Sequence, residues 1–369
     1  MQKLLFFALV FLLFNCTEDK IETKHFVKVD INAEVNQNLP QLKNVSLKPL
    51  ETQDESIFAT IINVEYFKGK IYVLDGFSTK SLLAFSENGQ FINKTRQGKG
   101  IGEMIKPFAF YIDKKEEVIL VWDEVQSTMF TYDLDLKYIS QKKSEIQYPM
   151  LLEFAKMDNN KIIARTHDLI SEKQQEYVFK LYTSDFGEVE NTYLEDFKYF
   201  HQIGLSKSIS SNKNPYLISA FDYNIYQLVD NKLKSEFYFD FGKYKLVREE
   251  LEDEKNGNKH RELLEQGKRV SSLHTIQLSQ NYLSFKVFYK LEPIYYLQSL
   301  NQDNLYRLND YFENGMLPKC DIQSLVNGDT FLAFVNPDDL IAFQEKTGQK
   351  LFEGEINSNQ NPFILTFSL

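Results

Sequence analysis

The sequence predicts an all-β fold: a six-bladed β-propeller with four-stranded antiparallel blades. Three observations lead there. Short apolar runs of β type, separated by turn residues, occupy the chain from about residue 44 onward. Such runs recur in six units at irregular spacing of roughly 40 to 65 residues, as blades with variable loops would. The leading run of each unit is apolar on both faces, which is how a strand covered on both sides reads. Stacked blades cover strands in that way, whereas a two-layer sandwich leaves an outer face polar. A pair of β-sandwich domains is the competing fold.

The first unit runs Lys70-Ile71-Tyr72-Val73-Leu74-Asp75, then Leu82-Leu83-Ala84-Phe85, a turn at Glu87-Asn88-Gly89, and Gln90-Phe91-Ile92. The Asn-Gly pair favours positive φ and a tight hairpin. The second unit is Glu117 to Asp123, Thr128 to Asp133, then Lys137-Tyr138-Ile139. The third is Lys161 to Arg165 and Tyr177 to Tyr182, with a turn at Asp185-Phe186-Gly187. The fourth is Tyr216 to Phe221 and Asn224 to Leu228; the fifth is Tyr282 to Val287 and Asn304 to Leu308; the sixth is Thr330 to Val335. Between the fourth and fifth units, Lys245 to Glu252 and Arg261 to Glu265 are helix formers with apolar residues at helical spacing. Asn256-Gly257-Asn258 interrupts them, so a helical excursion is expected between blades 4 and 5. A propeller must also join its ends or leave open sheet edges. Val45 to Leu50 precedes the first unit and Phe363 to Leu369 follows the sixth. Neither makes a blade alone, so both are expected to pair within the sixth.

The amino terminus reads differently. One charge, Lys3, precedes an unbroken apolar run from Leu4 to Phe14. A transmembrane helix needs roughly 20 such residues, so the run has the shape of a secretory signal. It ends Leu12-Leu13-Phe14-Asn15-Cys16 rather than in an A-x-A-like site. That junction resembles the lipobox of bacterial lipoproteins, which implies a signal peptide over 1–15 and a tether lipidated at Cys16 over 16–42, followed by the propeller over 43–369.

Composition bounds the function. The formal net charge is −10, so the basic footprint of a nucleic-acid binder is missing. The chain holds 31 Phe and 21 Tyr but one Trp, Trp122, which argues against a Trp-based sugar platform. With Cys16 lipidated, Cys320 has no disulfide partner and reads as a small buried hydrophobe. His25, His167, His201, His260 and His274 are scattered without metal-ligand spacing, so no metal or other cofactor is assigned. The Gly98–Gly102 loop matches neither phosphate-binding pattern and reads as an inter-blade turn, with Arg96 and Glu103 flanking it. Asp75 and Asp123 end equivalent strands and could approach one propeller face, where two acids would hold a cation or do acid/base work. Asp is also an ordinary turn residue, and that reading is preferred. No nucleophile motif appears, and no catalytic residue is assigned.

Several segments carry a resemblance. Leu47-Lys48-Pro49-Leu50-Glu51-Thr52, the Ile71–Asp75 strand, the Gly-rich link ending at Glu103 and the closing Asn361 to Leu369 together resemble the six-bladed, NHL-like β-propeller lipoproteins of Bacteroidota. The family's link has the form G-x-G-P-G-E, and Ile101 replaces its proline. Leu13 before Cys16 is similar to the lipobox of bacterial lipoproteins, with Phe14 and Asn15 departing from its strictest form. Glu18-Asp19 resembles the signal that sends such proteins to the outer face of the outer membrane, although a plain polar tether reads as well. The resemblance implies the fold and little about activity. The expectation is a non-enzymatic outer-membrane lipoprotein, held by Cys16, that binds or scaffolds a protein, saccharide or peptide at a propeller face. The alternative is a propeller hydrolase or lyase with a cation in its central channel.

Overall fold

The computed structural model describes residues 23–144, 150–157, 159–167, 177–183, 186–195, 207–210, 214–219, 222–247, 250, 258–302 and 304–369. The expected signal peptide, Cys16, His201, the start of the Asp185 turn and most of the first helical stretch after Val247 lie outside them. Within the described residues the chain forms six four-stranded sheets and one two-stranded ribbon. The expected six-bladed propeller is what the sequence folds into.

Strands β1 (His25–Lys28) and β2 (Lys43–Pro49) come first and join sheets built by later residues. Blade 1 is β3 (Asn63–Phe67), β4 (Lys70–Asp75), β5 (Ser81–Ser86) and β6 (Phe91–Lys94). A parallel ribbon of β7 (Arg96–Gln97) and β8 (Glu103–Met104) links it to the next blade. Blade 2 is β9 (Pro107–Asp113), β10 (Val118–Asp123), β11 (Thr128–Tyr132) and β12 (Tyr138–Lys143). Blade 3 is β13 (Met150–Lys156), β14 (Ile162–His167), β15 (Tyr177–Tyr182) and β16 (Val189–Glu195). Blade 4 is β17 (Tyr216–Leu217), β18 (Asn224–Val229), β19 (Lys232–Asp240) and, parallel to β19 on its outer edge, β1. Blade 5 is β20 (His274–Leu278), β21 (Tyr282–Tyr289), β22 (Glu292–Ser299) and β23 (Leu305–Arg307). Blade 6 is β24 (Asp321–Leu325), β25 (Phe331–Val335), β26 (Phe363–Ser368) and β2.

The apolar runs that lead five of the six units are the second strands of their blades, and the fourth run gives β17, the first strand of the blade 4 sheet. Ile71 to Leu74 of β4 are at most 1% exposed. Such a strand is hydrogen-bonded along both edges and packed on both faces, so no position along it favours a polar side chain. Six cores lie between consecutive blades around the ring. Leu74 and Leu82 meet Phe110 and Val121 between blades 1 and 2, for example. Trp122 meets Phe154 and Phe186 between blades 2 and 3. The last core joins Ile71, Val73 and Phe85 of blade 1 to Leu332, Phe334 and Ile364 of blade 6.

Closure follows the expected pairing. β2 runs antiparallel to β26, with Leu47 opposite Leu365 and Pro49 opposite Phe363. The chain then crosses the Asn88–Gly89 turn, where the Glu51 amide donates to the Gly89 carbonyl at 2.8 Å. Gly89 has φ +83°, and a Cβ there would come within 2.0 Å of the Pro49 carbonyl oxygen. That position needs glycine both for its conformation and for its clearance.

Three features depart from the sequence reading. The excursion between blades 4 and 5 holds one described α-helix, α1 (Asn258–Glu265), with Leu264 buried; Lys245 to Val247 are not helical. Two helices were not foreseen: α2 (Asn309–Glu313) after blade 5, and α3 (Pro337–Thr347) between β25 and β26. The largest correction concerns residues 16–42. From Thr23 on, this stretch belongs to the body. Val29 and Ile31 are buried in the core of blades 4 and 5. Leu39 and Leu42 pack on the core of blades 5 and 6. Along blade 5, Asn32 donates to the Tyr244 hydroxyl at 2.7 Å and the Asn36 amide to Asp310 at 3.2 Å. The Tyr311 hydroxyl donates to the Pro40 carbonyl at 2.9 Å. The stretch looks like a tether because its few apolar residues are spread over three blades and its polar ones are spent on hydrogen bonds.

A chain trimmed to begin at Lys43 should therefore lose stability. Losing the buried side chains of Val29 and Ile31 alone costs about 3 kcal/mol or more. Chemical denaturation of the trimmed and full chains measures it; equal midpoints would restore the tether.

Candidate functional site

The first strands of the blades face the ring axis. Neighbouring pairs along the axis are β3 with β9, β9 with β13, β20 with β24 and β24 with β3. In blade 4 the innermost place falls to Ser208–Ser210, which bridges to β17 through Ile209 and Leu217. The Lys207 carbonyl accepts the amide of Ile276 on β20, tying blades 4 and 5 at the axis.

Charged groups collect here. Glu153 on β13 accepts the Ser208 amide at 2.7 Å and the Ile209 amide at 3.1 Å. Arg165, opposite Glu153 in the β13–β14 register, donates to the Ser208 hydroxyl at 2.7 Å. One arm of blade 3 thus holds the inner segment of blade 4 by both its backbone and a side chain. Lys207 forms an ion pair with Glu65 on β3, the two side chains being 9% and 14% exposed. Blades 4 and 1 are three places apart in a ring of six, so this pair spans the channel. His274 on β20 is buried and meets the Phe288 ring edge-on at 5.2 Å. Lys286 of the same blade reaches Asp321 of blade 6 at 3.0 Å. Among the described residues, no group of three or more His, Cys, Asp or Glu is gathered to hold a metal ion.

The residues singled out from sequence occupy structural places. Asp75 and Asp123 do stand at equivalent positions, at the ends of β4 and β10, and both are fully buried. They are not brought to one site. Asp75 accepts amides from Ala59 and Thr60 on one oxygen and from Phe77 and Ser78 on the other. Asp123 accepts Ile105 and Lys106 on one oxygen and Gln126 on the other. Each carboxylate pins the entry into its blade to the turn after the second strand. The Gly98–Gly102 loop closes on itself, because the Glu103 carboxylate accepts the Gly100 amide at 2.9 Å. Gly98 has φ +146° and leaves no room for a Cβ beside that carboxylate. Cys320 is buried, and burial pushes its thiol well above the usual range.

A depression of about 730 Å³ opens on the face formed by the turns between first and second strands. Blades 1, 2, 5 and 6 line it with Tyr66, Lys68, Lys114, Ser279, Gln280 and Asn327. Sequence reasoning missed both this rim and the channel charges. The channel had a readable signal: Glu153 and Arg165 interrupt apolar strands, at Leu151-Leu152-Glu153-Phe154 and Ile162-Ile163-Ala164-Arg165. The rim had none, because its residues are ordinary turn residues until the ring assembles them.

The channel sets a pH dependence. Burial pushes Glu153 up to about 7, against the pull of the Ser208 amide, Arg165, Lys207 and the Ile209 amide. Its folded value lies above its ordinary 4.5, so its contribution to stability is full below pH 4.5 and is lost as pH rises through 7. Burial, with Lys286 and Arg165 nearby, lowers His274 from 6.5 to about 3. Its contribution is full above pH 6.5 and falls away toward pH 3. Between pH 4.5 and 7 the native chain should therefore lose about 1–3 kcal/mol relative to Glu153→Gln as pH rises. Parallel stability-versus-pH curves for the two proteins would refute this assignment.

Comparison with known proteins adds the family. Among solved structures, the chain is similar to a protein of Bacteroides fragilis NCTC 9343 named as a candidate exported protein (BF0058). The two are 18% identical with a TM-score of 0.74, over 94% of this chain and 99% of that one. It is also similar to a member of the duf4221 family from Bacteroides vulgatus ATCC 8482, at 12% identity and a TM-score of 0.54, over 89% of this chain and 98% of the other. At such identities the likeness shows the fold. No curated protein matches the chain. A family profile described as a domain of unknown function, DUF4934, matches residues 26–368, taking in all but the first residue of β1 and the whole ring. The chain belongs to the DUF4934 family.

Proposed function

We propose that this protein is a non-enzymatic envelope lipoprotein, anchored at Cys16, that binds a polar ligand at a propeller face. The occupant would be a peptide segment of a partner protein or a saccharide. The observation that carries the reading is the commitment of the channel charges. Lys207 and Glu65 neutralise one another across the ring, and Glu153 and Arg165 hold the backbone and hydroxyl of blade 4. Groups engaged in this way serve as a hub for the blades. A general acid or base needs a free face toward its substrate.

The depression over the first-hairpin turns is the favoured contact surface. Its volume falls in the range of ligand sites, about 300–1,000 Å³. Its lining of amides, hydroxyls and lysines suits hydrogen-bonding partners. Leu13 and Cys16 after an apolar run, in a chain whose described helices are all too short to cross a membrane, support lipid attachment and export.

The test has two arms. Metabolic labelling with a palmitate analogue should mark the native chain, and Cys16→Ser should abolish the mark. A photo-crosslinking side chain at Asn327 should capture a defined envelope component, and Tyr66→Ala with Lys114→Glu should reduce that capture several-fold. Label surviving Cys16→Ser would overturn the anchor. Capture indifferent to the rim substitutions would overturn the site.

A further inference from the structure

We infer that the outer rim of blade 4, made by β1 and β19, is the membrane-facing surface of the protein and rests on an anionic lipid interface. The inference deepens the lipoprotein reading and rests on lipid attachment at Cys16. The first support is reach. Thr23 is already fixed to the body, its hydroxyl within 2.9 Å of the Ser235 hydroxyl on β19. The Lys24 amide donates to the Ser235 carbonyl at 3.1 Å. Six residues lie between Cys16 and Thr23, and even fully extended the seven Cα–Cα steps span only about 25 Å. A lipid on Cys16 therefore holds the rim of blade 4 near the bilayer, whatever path those residues take.

The second support is the chemistry of that rim. Residues alternate along β1: His25 and Val27 turn inward, with His25 stacked on Phe237 at 5.0 Å, while Lys24, Phe26 and Lys28 are exposed. Phe26 is 59% exposed, and its ring meets Tyr238 of β19 at 5.4 Å. On β19, Tyr238 and Asp240 share the face of Phe26 and Lys28, and a bulge at Glu236 sets the exposed Lys232 and Lys234 on the other face of the same outer edge. Both acids are matched by cations, Glu236 by Lys24 and Asp240 by Lys245. Lys28, paired with Asp240 in the register, adds to the attraction on that carboxylate, while Lys232 and Lys234 have no ion pair among the described residues. A chain with net charge −10 thus presents a cationic rim at its point of attachment. β1 runs parallel to β19, so the chain enters β1 from the end where β19 begins, beside Lys232 and Lys234. Exposed aromatic rings flanked by lysines suit the lipid headgroup layer, where rings bury partially and ammonium groups meet anionic lipid. A diacylglyceryl group on Cys16 would carry two acyl chains and hold the chain by itself, so the basic patch orients the body against the bilayer.

The test uses the full-length lipoprotein in vesicles of phosphatidylethanolamine and phosphatidylglycerol that carry a nitroxide headgroup quencher. Fluorophores are placed through Lys28→Cys, Lys234→Cys or, as the distant reference on the blade 1–blade 2 link, Ile101→Cys. Quenching at 28 and 234 should exceed that at 101 several-fold. Phe26→Ser combined with Lys28→Glu and Lys232→Glu should lower the quenching at 234 several-fold while leaving the fold's melting transition in place. A chain that floats with the vesicles yet shows equal quenching at all three positions overturns this inference alone. A chain that does not float overturns the Cys16 anchor, and this inference with it.

Discussion

The pairing of β2 with β26 is the contact on which the rest of the ring depends. A sheet edge left open exposes a row of unpaired amides and carbonyls. Here the edge of blade 6 is finished by residues from the opposite end of the chain, with Leu47 facing Leu365 and Lys48 facing Ile364. That pairing seats blade 6 against blade 1, where Phe85 and Val73 meet Phe334 and Leu332. Asn361 secures the same junction, its amide nitrogen donating to the carbonyls of Glu51 at 2.8 Å and Ser56 at 3.0 Å. The N-terminal segment goes further than closure needs. By adding β1 to blade 4 and passing along blade 5, it fastens three consecutive blades from outside.

The ring closed from outside is also tied from within. A buried ion pair such as Lys207–Glu65 contributes less to net stability than its Coulomb attraction suggests, because both ions give up water. Its value is specificity: Lys207 gains Glu65 as a counter-charge only when blades 1 and 4 face one another. Glu153 and Arg165 act similarly at the next junction, since blade 4 has only a short inner segment and two of its amides end on Glu153. In the proposed binding function, recognition falls to rims and faces that loops can vary while this hub stays the same.

Much of the fold was legible because burial on both faces leaves a plain mark. Ile71 to Leu74, Val118 to Asp123 and Phe331 to Val335 each appear as second strands where their apolar runs indicated. The Asn88–Gly89 hairpin and the pairing of the chain ends could likewise be read. Strand β22 escaped notice because Glu292-Pro293 opens it like a turn. Helix α3 was signalled locally, by Pro337 at its first turn with Asp338 and Asp339, and by Gly348 in the left-handed conformation at its end. Its position inside blade 6, between two strands, hid that signal. Strand β1 was beyond sequence reading: four residues with one inward valine carry no pattern until β19 is beside them. The channel and the rim depression are products of assembly, joining residues as distant in sequence as Glu65 and Lys207.

The most direct test is native-state hydrogen exchange of the intact chain. If the β2–β26 pairing closes the whole ring, amides of Lys43–Pro49 and Phe363–Ser368 should exchange only by global opening, with the same free energy and denaturant dependence as those of β25. Exchange of the β2 and β26 amides through a low-energy local opening, with β25 and β4 still protected, would contradict the account.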